Sequence, residues 1–259
     1  MGGGAHEGVD GHDRCGPSAT GLTDCRACVH AIRAAAGRCR PDDACVMACS
    51  GRRIDRFFRS NPELAPAYIE DPFWETRAII VRYLPDERVL ELIDDDDEAV
   101  RRAVAVRLPP ERLSELMRDP DREVRITVAA RLPEADLPAL LDDPDYSVRT
   151  WLARRLPPAQ LLPLVRDRDR QVRQAVAERL PESLLPQLAD DPAAEVRAAV
   201  AARLPAEAAV RMLTDPDWAV RLAAVPRVRR QALRRLLDDP VEDVRAAAEE
   251  RLGRLASVS

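Results

Sequence analysis

The sequence predicts an all-α solenoid, eight helical repeats of 24 residues behind a short cysteine-rich segment. Three observations predict it. Asp-Pro recurs at 71–72, 119–120, 143–144, 191–192, 215–216 and 239–240, and Asp95-Asp96 and Asp167-Arg168 fill the two gaps on schedule. Six residues after each such Asp stands an Arg: Arg77, Arg101, Arg125, Arg149, Arg173, Arg197, Arg221 and Arg245. All six cysteines lie between Cys15 and Cys49, which separates a metal-type module from the repeats.

Within a repeat, Asp-Pro predicts an N-cap followed by the favoured first helical residue. Val124, Val128 and Leu132 then fall at i, i+4 and i+8, one face of an α-helix. Thirteen residues after each Asp comes Leu84, Leu108, Leu132, Leu156, Leu180 or Leu204, each followed by Pro, then Val228 and Leu252. The Leu-Pro pair ends the helix, because a residue before Pro is pushed out of the α region. Only nine residues remain before the next Asp, with leucines three apart at 113/116, 137/140 and 161/164. That length and spacing, with Pro138, Pro163 and Pro186 inside, suit a 3₁₀ turn better than a second α-helix. Each unit buries only a stripe and must lean on its neighbours. The end units depart from the pattern: Val228-Arg229 and Leu252-Gly253 replace Leu-Pro, and Glu249-Glu250 bring charge near the last helix. Upstream, Arg53 and Tyr68-Ile69 keep the phase while Ser60-Asn61 replaces Leu-Pro. The expected organisation is therefore a cysteine module at 1–52, a degenerate capping repeat at 53–70, and eight repeats with a tail at 71–259.

The unit D-P-x-x-x-V-R-x-x-V-A-x-R-L-P, preceded by a cysteine cluster, resembles the leucine-rich repeat variant family, in particular its iron–sulfur members from nitrogen-fixing bacteria. The resemblance covers nearly the whole chain. It implies a right-handed superhelix of alternating α- and 3₁₀-helices, an N-terminal [4Fe–4S] cluster, and a link to nitrogen-fixation physiology.

The cysteines run Cys15-x9-Cys25-x2-Cys28-x10-Cys39-x5-Cys45-x3-Cys49. A C-x2-C pair lets two thiolates converge on one metal or one cluster. Cys25, Cys28, Cys39 and Cys45 close a site within 21 residues and are the preferred ligands. Cys49 is the first alternate, because it would share a face with Cys45 were 44–50 helical. Cys15, in a Gly-rich lead, is the second. Structural zinc, with His12 or His30 as a further ligand, and disulfides are the competing readings. Arg26, Arg38 and Arg40 beside the ligands would favour a more negative reduced cluster.

Composition narrows the function. The net charge is −5 with no Lys at all; residues 1–60 carry +2, so the remainder carries −7. A duplex-binding surface wants an excess of positive charge, and here only a local basic stripe could supply it. No apolar run is long enough for a membrane span, and Met1-Gly2-Gly3-Gly4 lacks the order of a signal peptide, so a cytoplasmic location without membrane contact is expected. The Arg row next to capping aspartates reads as a repeating structural bridge before an anion groove. The run Asp94–Asp97 reads as capping charge before a cation site. The third residue after each Asp varies: Trp74, Glu98, Arg122, Tyr146, Arg170, Ala194, Trp218 and Glu242. Either these side chains pack in the helix-start turn, or they line a partner groove, for which aromatics and Arg are favoured. No catalytic constellation stands out. The chain is expected to be a non-enzymatic protein–protein interaction scaffold coupled to a redox or sensing cluster. The alternatives are an electron carrier docking through its repeats and a nucleic-acid-binding solenoid with a structural metal. A protein partner is expected, and nucleic acid is the lesser possibility.

Overall fold

The computed structural model describes Cys25 and residues 28–256, so Cys15, His12 and Arg26 lie outside the described residues. The chain falls into two compact units, Met1–Leu132 and Pro133–Ser259. In the first, a short helix Ala31–Ala35 precedes the helix Gly51–Ser60 and a 3₁₀ segment Pro62–Tyr68. The helices Trp74–Ile80, Glu98–Arg107 and Arg122–Arg131 follow, separated by Leu90–Leu92 and Pro110–Leu116 in 3₁₀ form. The second unit opens on a 3₁₀ segment, Glu134–Leu140. It continues with the helices Tyr146–Arg155, Arg170–Ala177, Ala194–Ala201, Trp218–Ala224 and Glu242–Ala256. Inside each unit every repeat helix packs on the next.

The alternation of α and 3₁₀ helices is as the spacing predicts, with one refinement. Asp86–Val89, Ala206–Ala209 and Arg230–Leu233 form a single α-turn before their 3₁₀ segments, and none of these three turns contains a Pro. Leu113, Val124, Val128 and Leu132 are fully buried, and the helix Arg122–Arg131 packs on the 3₁₀ segment Pro110–Leu116, so the i, i+4, i+8 stripe and the 3₁₀ leucines share one core. Leu108, Leu132 and Leu156 cap their helices with ψ of 144°, 141° and 145°, the extended state that the following Pro imposes. The final helix, Glu242–Ala256, meets no Pro and runs on for 15 residues. Upstream of the repeats, the helix Gly51–Ser60 is followed by the 3₁₀ segment Pro62–Tyr68, the same order of elements as in a repeat.

The Asp of Asp-Pro does not cap its helix. The N-cap stands two residues later: Asp97, Asp121, Asp145, Asp169 and Asp217 accept from first-turn backbone N–H groups. The earlier Asp does two other things. It accepts the backbone N–H two residues on, as Asp167 does from Asp169 at 2.8 Å, and it receives the Arg of the preceding repeat. Arg149 places Nε 2.7 Å and Nη2 2.9 Å from the Asp167 carboxylate, while its Nη1 donates to the Asp143 carbonyl at 2.6 Å. The same bidentate pair recurs at Arg77–Asp95, Arg101–Asp119, Arg173–Asp191, Arg197–Asp215 and Arg221–Asp239. One guanidinium thus fastens the turn before its own helix to the corresponding turn of the next repeat. Burial pushes the Asp167 carboxyl up, but Arg149 and the Asp169 N–H outweigh it, so Asp167 sits below the usual carboxylate range. Asp239 is held low first by Arg221.

A second Arg row comes from the R-L-P positions. Arg107 donates to the Leu84 carbonyl, Arg131 to Ala105, Arg179 to Ala153 and Leu156, Arg203 to Ala177, and Arg227 to Leu204. These carbonyls lie at the C-terminal end of the preceding helix, where helical partners run out and the dipole favours a cation.

Candidate metal centre

The cysteine segment is shaped by local chemistry before any metal is considered. The helix Ala31–Ala35 ends when Gly37 takes φ +72°. The Arg38 N–H then returns to the Arg33 carbonyl at 2.9 Å and the Gly37 N–H to Ala34 at 3.0 Å, a Schellman closure that Gly permits. The chain reverses there and reaches Cys39. Arg40 and Ala44 next exchange two backbone hydrogen bonds of 2.8 Å around Pro41-Asp42-Asp43. This tight hairpin sets Cys39 and Cys45 on its two flanks.

Cys25, Cys28, Cys39 and Cys45 are outside any disulfide; Cys39 and Cys45 are buried, the other two half-buried. Cys39 is pushed up to about 11, first by burial and then by the charges of Cys45, Cys28 and Cys25, so the four predicted ligands sense one another. They do not close on a single point: among the described residues no three His, Cys, Asp or Glu side chains gather tightly enough to hold one metal ion. The grouping rests on the mutual charge of the thiols. It is a donor set that suits a cluster, which wants four thiolates and whose irons would offset the burial and repulsion that raise the Cys39 pKa. The backbone N–H of His30 points at Cys28 Sγ from 3.5 Å, a contact of the kind that tunes cluster potential.

The alternates fare differently. Cys49 is disulfide-bonded, and residues 44–50 are not helical, so the shared face expected for Cys45 and Cys49 does not form. His30 is buried, its Nε2 bonded to Tyr68 Oη and its ring 4.9 Å from that of Phe57, and so is not turned to a metal. Burial, followed by Arg33, holds its pKa below the usual value. Arg38 turns toward Glu63, and Arg40 is exposed.

Sequence reasoning missed the clasp that holds this segment. Asn61 is fully buried, with Nδ2 donating to the Arg38 and Phe57 carbonyls at 2.9 and 2.8 Å and Oδ1 accepting from Arg33 at 2.9 Å. Arg33 also pairs with Glu63, and Arg56 pairs with Asp43 at the hairpin tip. The Cys45 N–H donates to the Arg53 carbonyl at 3.1 Å. The usable signal was the departure itself: Asn61 stands where later repeats have Leu-Pro, and an amide there can serve both the helix end and the cysteine loop.

Elsewhere, the Arg row and the Asp94–Asp97 run are structural. Asp95 holds Arg77 and Asp97 caps a helix. The variable row supplies the first helical residue of each repeat, and its aromatics stand out: Trp74, Tyr146 and Trp218 are 37, 38 and 45% exposed. Trp74 also lies against Phe73 of its helix-start turn, ring centroids 6.1 Å apart. Among the described residues no helix is long and apolar enough to cross a membrane.

The comparisons agree with this geometry. The family model "LRV protein FeS4 cluster" matches residues 20–67, and "Leucine rich repeat variant" matches 98–121, 122–145, 170–193 and 194–217. An uncharacterized 27.7 kDa protein in the nifB 3′ region of Rhodobacter capsulatus is 38% identical over 84 residues, 32% of this chain and 34% of that protein. This chain therefore spans about a third of that curated relative. A solved structure described as a leucine-rich repeat variant with a novel repetitive structural motif is 54% identical. It covers 90% of this chain and 100% of its own, with a TM-score of 0.85. The chain belongs to the leucine-rich repeat variant family, as an iron–sulfur helical-repeat protein whose N-terminal module takes a [4Fe–4S] cluster.

Proposed function

We propose that this protein is a non-enzymatic, cytoplasmic interaction scaffold whose cluster, held by Cys25, Cys28, Cys39 and Cys45, sets the state of the repeats that follow it. The observation that carries the reading is the Asn61 clasp. One buried amide and Arg33 join the cysteine loop to the Gly51–Ser60 helix and the first 3₁₀ segment, so a change at the cluster has a hydrogen-bonded route into the repeat stack. Exposed Trp74, Tyr146 and Trp218 supply the kind of side chain that protein partners engage. The location of a relative in a nifB 3′ region supports a nitrogen-fixation setting. Capture of partners from native lysate by oxidised and by reduced holoprotein, side by side, tests the reading. A protein held by one redox state and released by the other is expected; identical capture in both states, matched by the cluster-free protein, rejects it.

Electron transfer is the second reading, favoured by one observation. Cys25 and Cys28 are half-buried, and the neighbouring Val29 and Ile32 are 87 and 85% exposed, so one edge of the centre faces outward. Reversible reduction with fast exchange to a soluble redox protein, without any change in partner capture, would favour the carrier.

A further inference from the structure

The 3₁₀ side of the second unit carries one segment unlike the others. Residues 229–238 hold Arg229, Arg230, Arg234 and Arg235 against Asp238 alone, a net +3, where residues 205–214 are neutral and 181–190 carry −2. Arg229, Arg230, Arg234 and Arg235 are all exposed. Arg229 pairs with Glu207, itself exposed, and among the described residues Arg230, Arg234 and Arg235 have no carboxylate partner. Between this segment and the preceding repeat lies a groove of about 430 Å³. Ala206, Val210 and Ala232 form its apolar wall, and Arg229 and Arg235 flank it. Exposed Leu237 lies just beyond.

A polar face near the end of a repeat array is ordinary, because terminal units must be solvated. That need can be met by mixed charge, as on residues 205–214, where Glu207 balances Arg211. Here Arg230, Arg234 and Arg235 stand within six residues with no acid interleaved. The arrangement concentrates positive charge beside an apolar groove on a chain of net −5. Such a patch steers and orients a complementary partner. A duplex is the poorer match. Duplex binders neutralise roughly 6–10 phosphates along a basic track, whereas this patch is four arginines wide and gives way to an acidic segment at 181–190. An amphipathic helix with acids on one face and aliphatic side chains on the other fits both the arginines and the groove wall.

We propose that the 206–210/229–235 groove is a docking site for an acidic amphipathic helix of a partner protein. The assignment rests on the scaffold reading and names the chemistry of its partner. Its test uses full-length holoprotein, a glutamate-rich helical peptide with leucines at i and i+4, a scrambled peptide of equal composition, and a duplex DNA of equal charge. The patterned peptide is expected to bind about tenfold more tightly than either control. R230E/R234E/R235E is expected to weaken it by about tenfold or more, and R230K/R234K/R235K to keep most of the affinity, which separates charge from folding. Equal binding of the scrambled peptide, preference for the duplex, or an unaffected charge-reversal variant would each overturn the assignment. So would self-association that the charge reversal abolishes while the peptide fails to bind, which would make a second copy the occupant. Undiminished redox-dependent partner capture by R230E/R234E/R235E would also reject the groove, while leaving the scaffold reading intact.

Discussion

Residues 28–50 and 98–132 belong to one compact unit but are ordered in opposite ways. The repeats bury an unbroken series, from Val100 and Val104 through Leu113 and Leu116 to Val124, Val128 and Leu132. The cysteine segment buries little beyond His30, Cys39, Ala44, Cys45, Val46 and Ala48, and leaves Val29 and Ile32 exposed. A stack of identical units makes its own core, one layer on the next. A segment of this size without a core needs ligation and a borrowed surface, here the cluster thiols and the Gly51–Ser60 helix.

The sharpest way to break the comparison is to remove a thiol. Cys39→Ala should abolish iron binding and open residues 28–50 to protease, while the helical circular dichroism of the repeats persists. Loss of helicity along with the iron would show that the two regions are not independently ordered. The next effect belongs to the ladder. Arg149→Ala strands the buried Asp167 carboxylate, whose side chain is 6% exposed, and should cost about 3–5 kcal/mol in chemical denaturation. Arg245, which holds the Asp239 carbonyl and has no carboxylate partner among the described residues, should cost only about 1 kcal/mol when replaced by Ala. Equal losses at both positions would remove the bidentate pair from the account.

Acid should act on the repeats through the same rungs. Asp167, Asp191, Asp215 and Asp239 titrate below the ordinary 3.8 when folded. A carboxyl depressed by folding adds stability that is fully present above the unfolded pKa and is lost as pH falls through the folded one. Melting temperature should therefore hold through mildly acidic pH and fall as pH drops below 3.8, and less steeply in the Arg149→Ala protein. A flat profile across that window would contradict the assignment. The smallest effect is a gain. Ala193 occupies the N-cap that Asp fills in Asp97, Asp145 and Asp217, with φ −87° and ψ 125° and no side-chain cap. Ala193→Asp should stabilise the second unit by about 1 kcal/mol in a denaturant titration.

The repeats were legible because their rules are local. Leu-Pro closes the α-helical part of six repeats, and leucines three apart face one way in a tight turn, so successive copies repeat one local decision. The cysteine module was legible as a spacing, and Cys25, Cys28, Cys39 and Cys45 are outside any disulfide. Legibility failed where one residue had two possible partners. Asp119 looks like a cap because Pro follows it, but Asp121 takes the backbone N–H groups and leaves Asp119 to Arg101. Tyr68 read only as a phase marker, and the structure gives it the imidazole of His30, 38 residues upstream.

By itself, then, the sequence determined the period, the alternation of α and 3₁₀ helices, the buried stripe and the thiols available to a cluster. Each follows from contacts a few residues apart or from the chemistry of one residue type. Only the tertiary structure decided that the ladder arginines reach the next repeat's Asp, that Asn61 ties the cysteine loop down, and that Arg229 and Arg235 flank a groove. The ladder and groove partners meet because units of 24 residues stack, the clasp because the cysteine segment folds onto the Gly51–Ser60 helix, and both join residues 18 to 29 positions apart whose pairing no local propensity encodes.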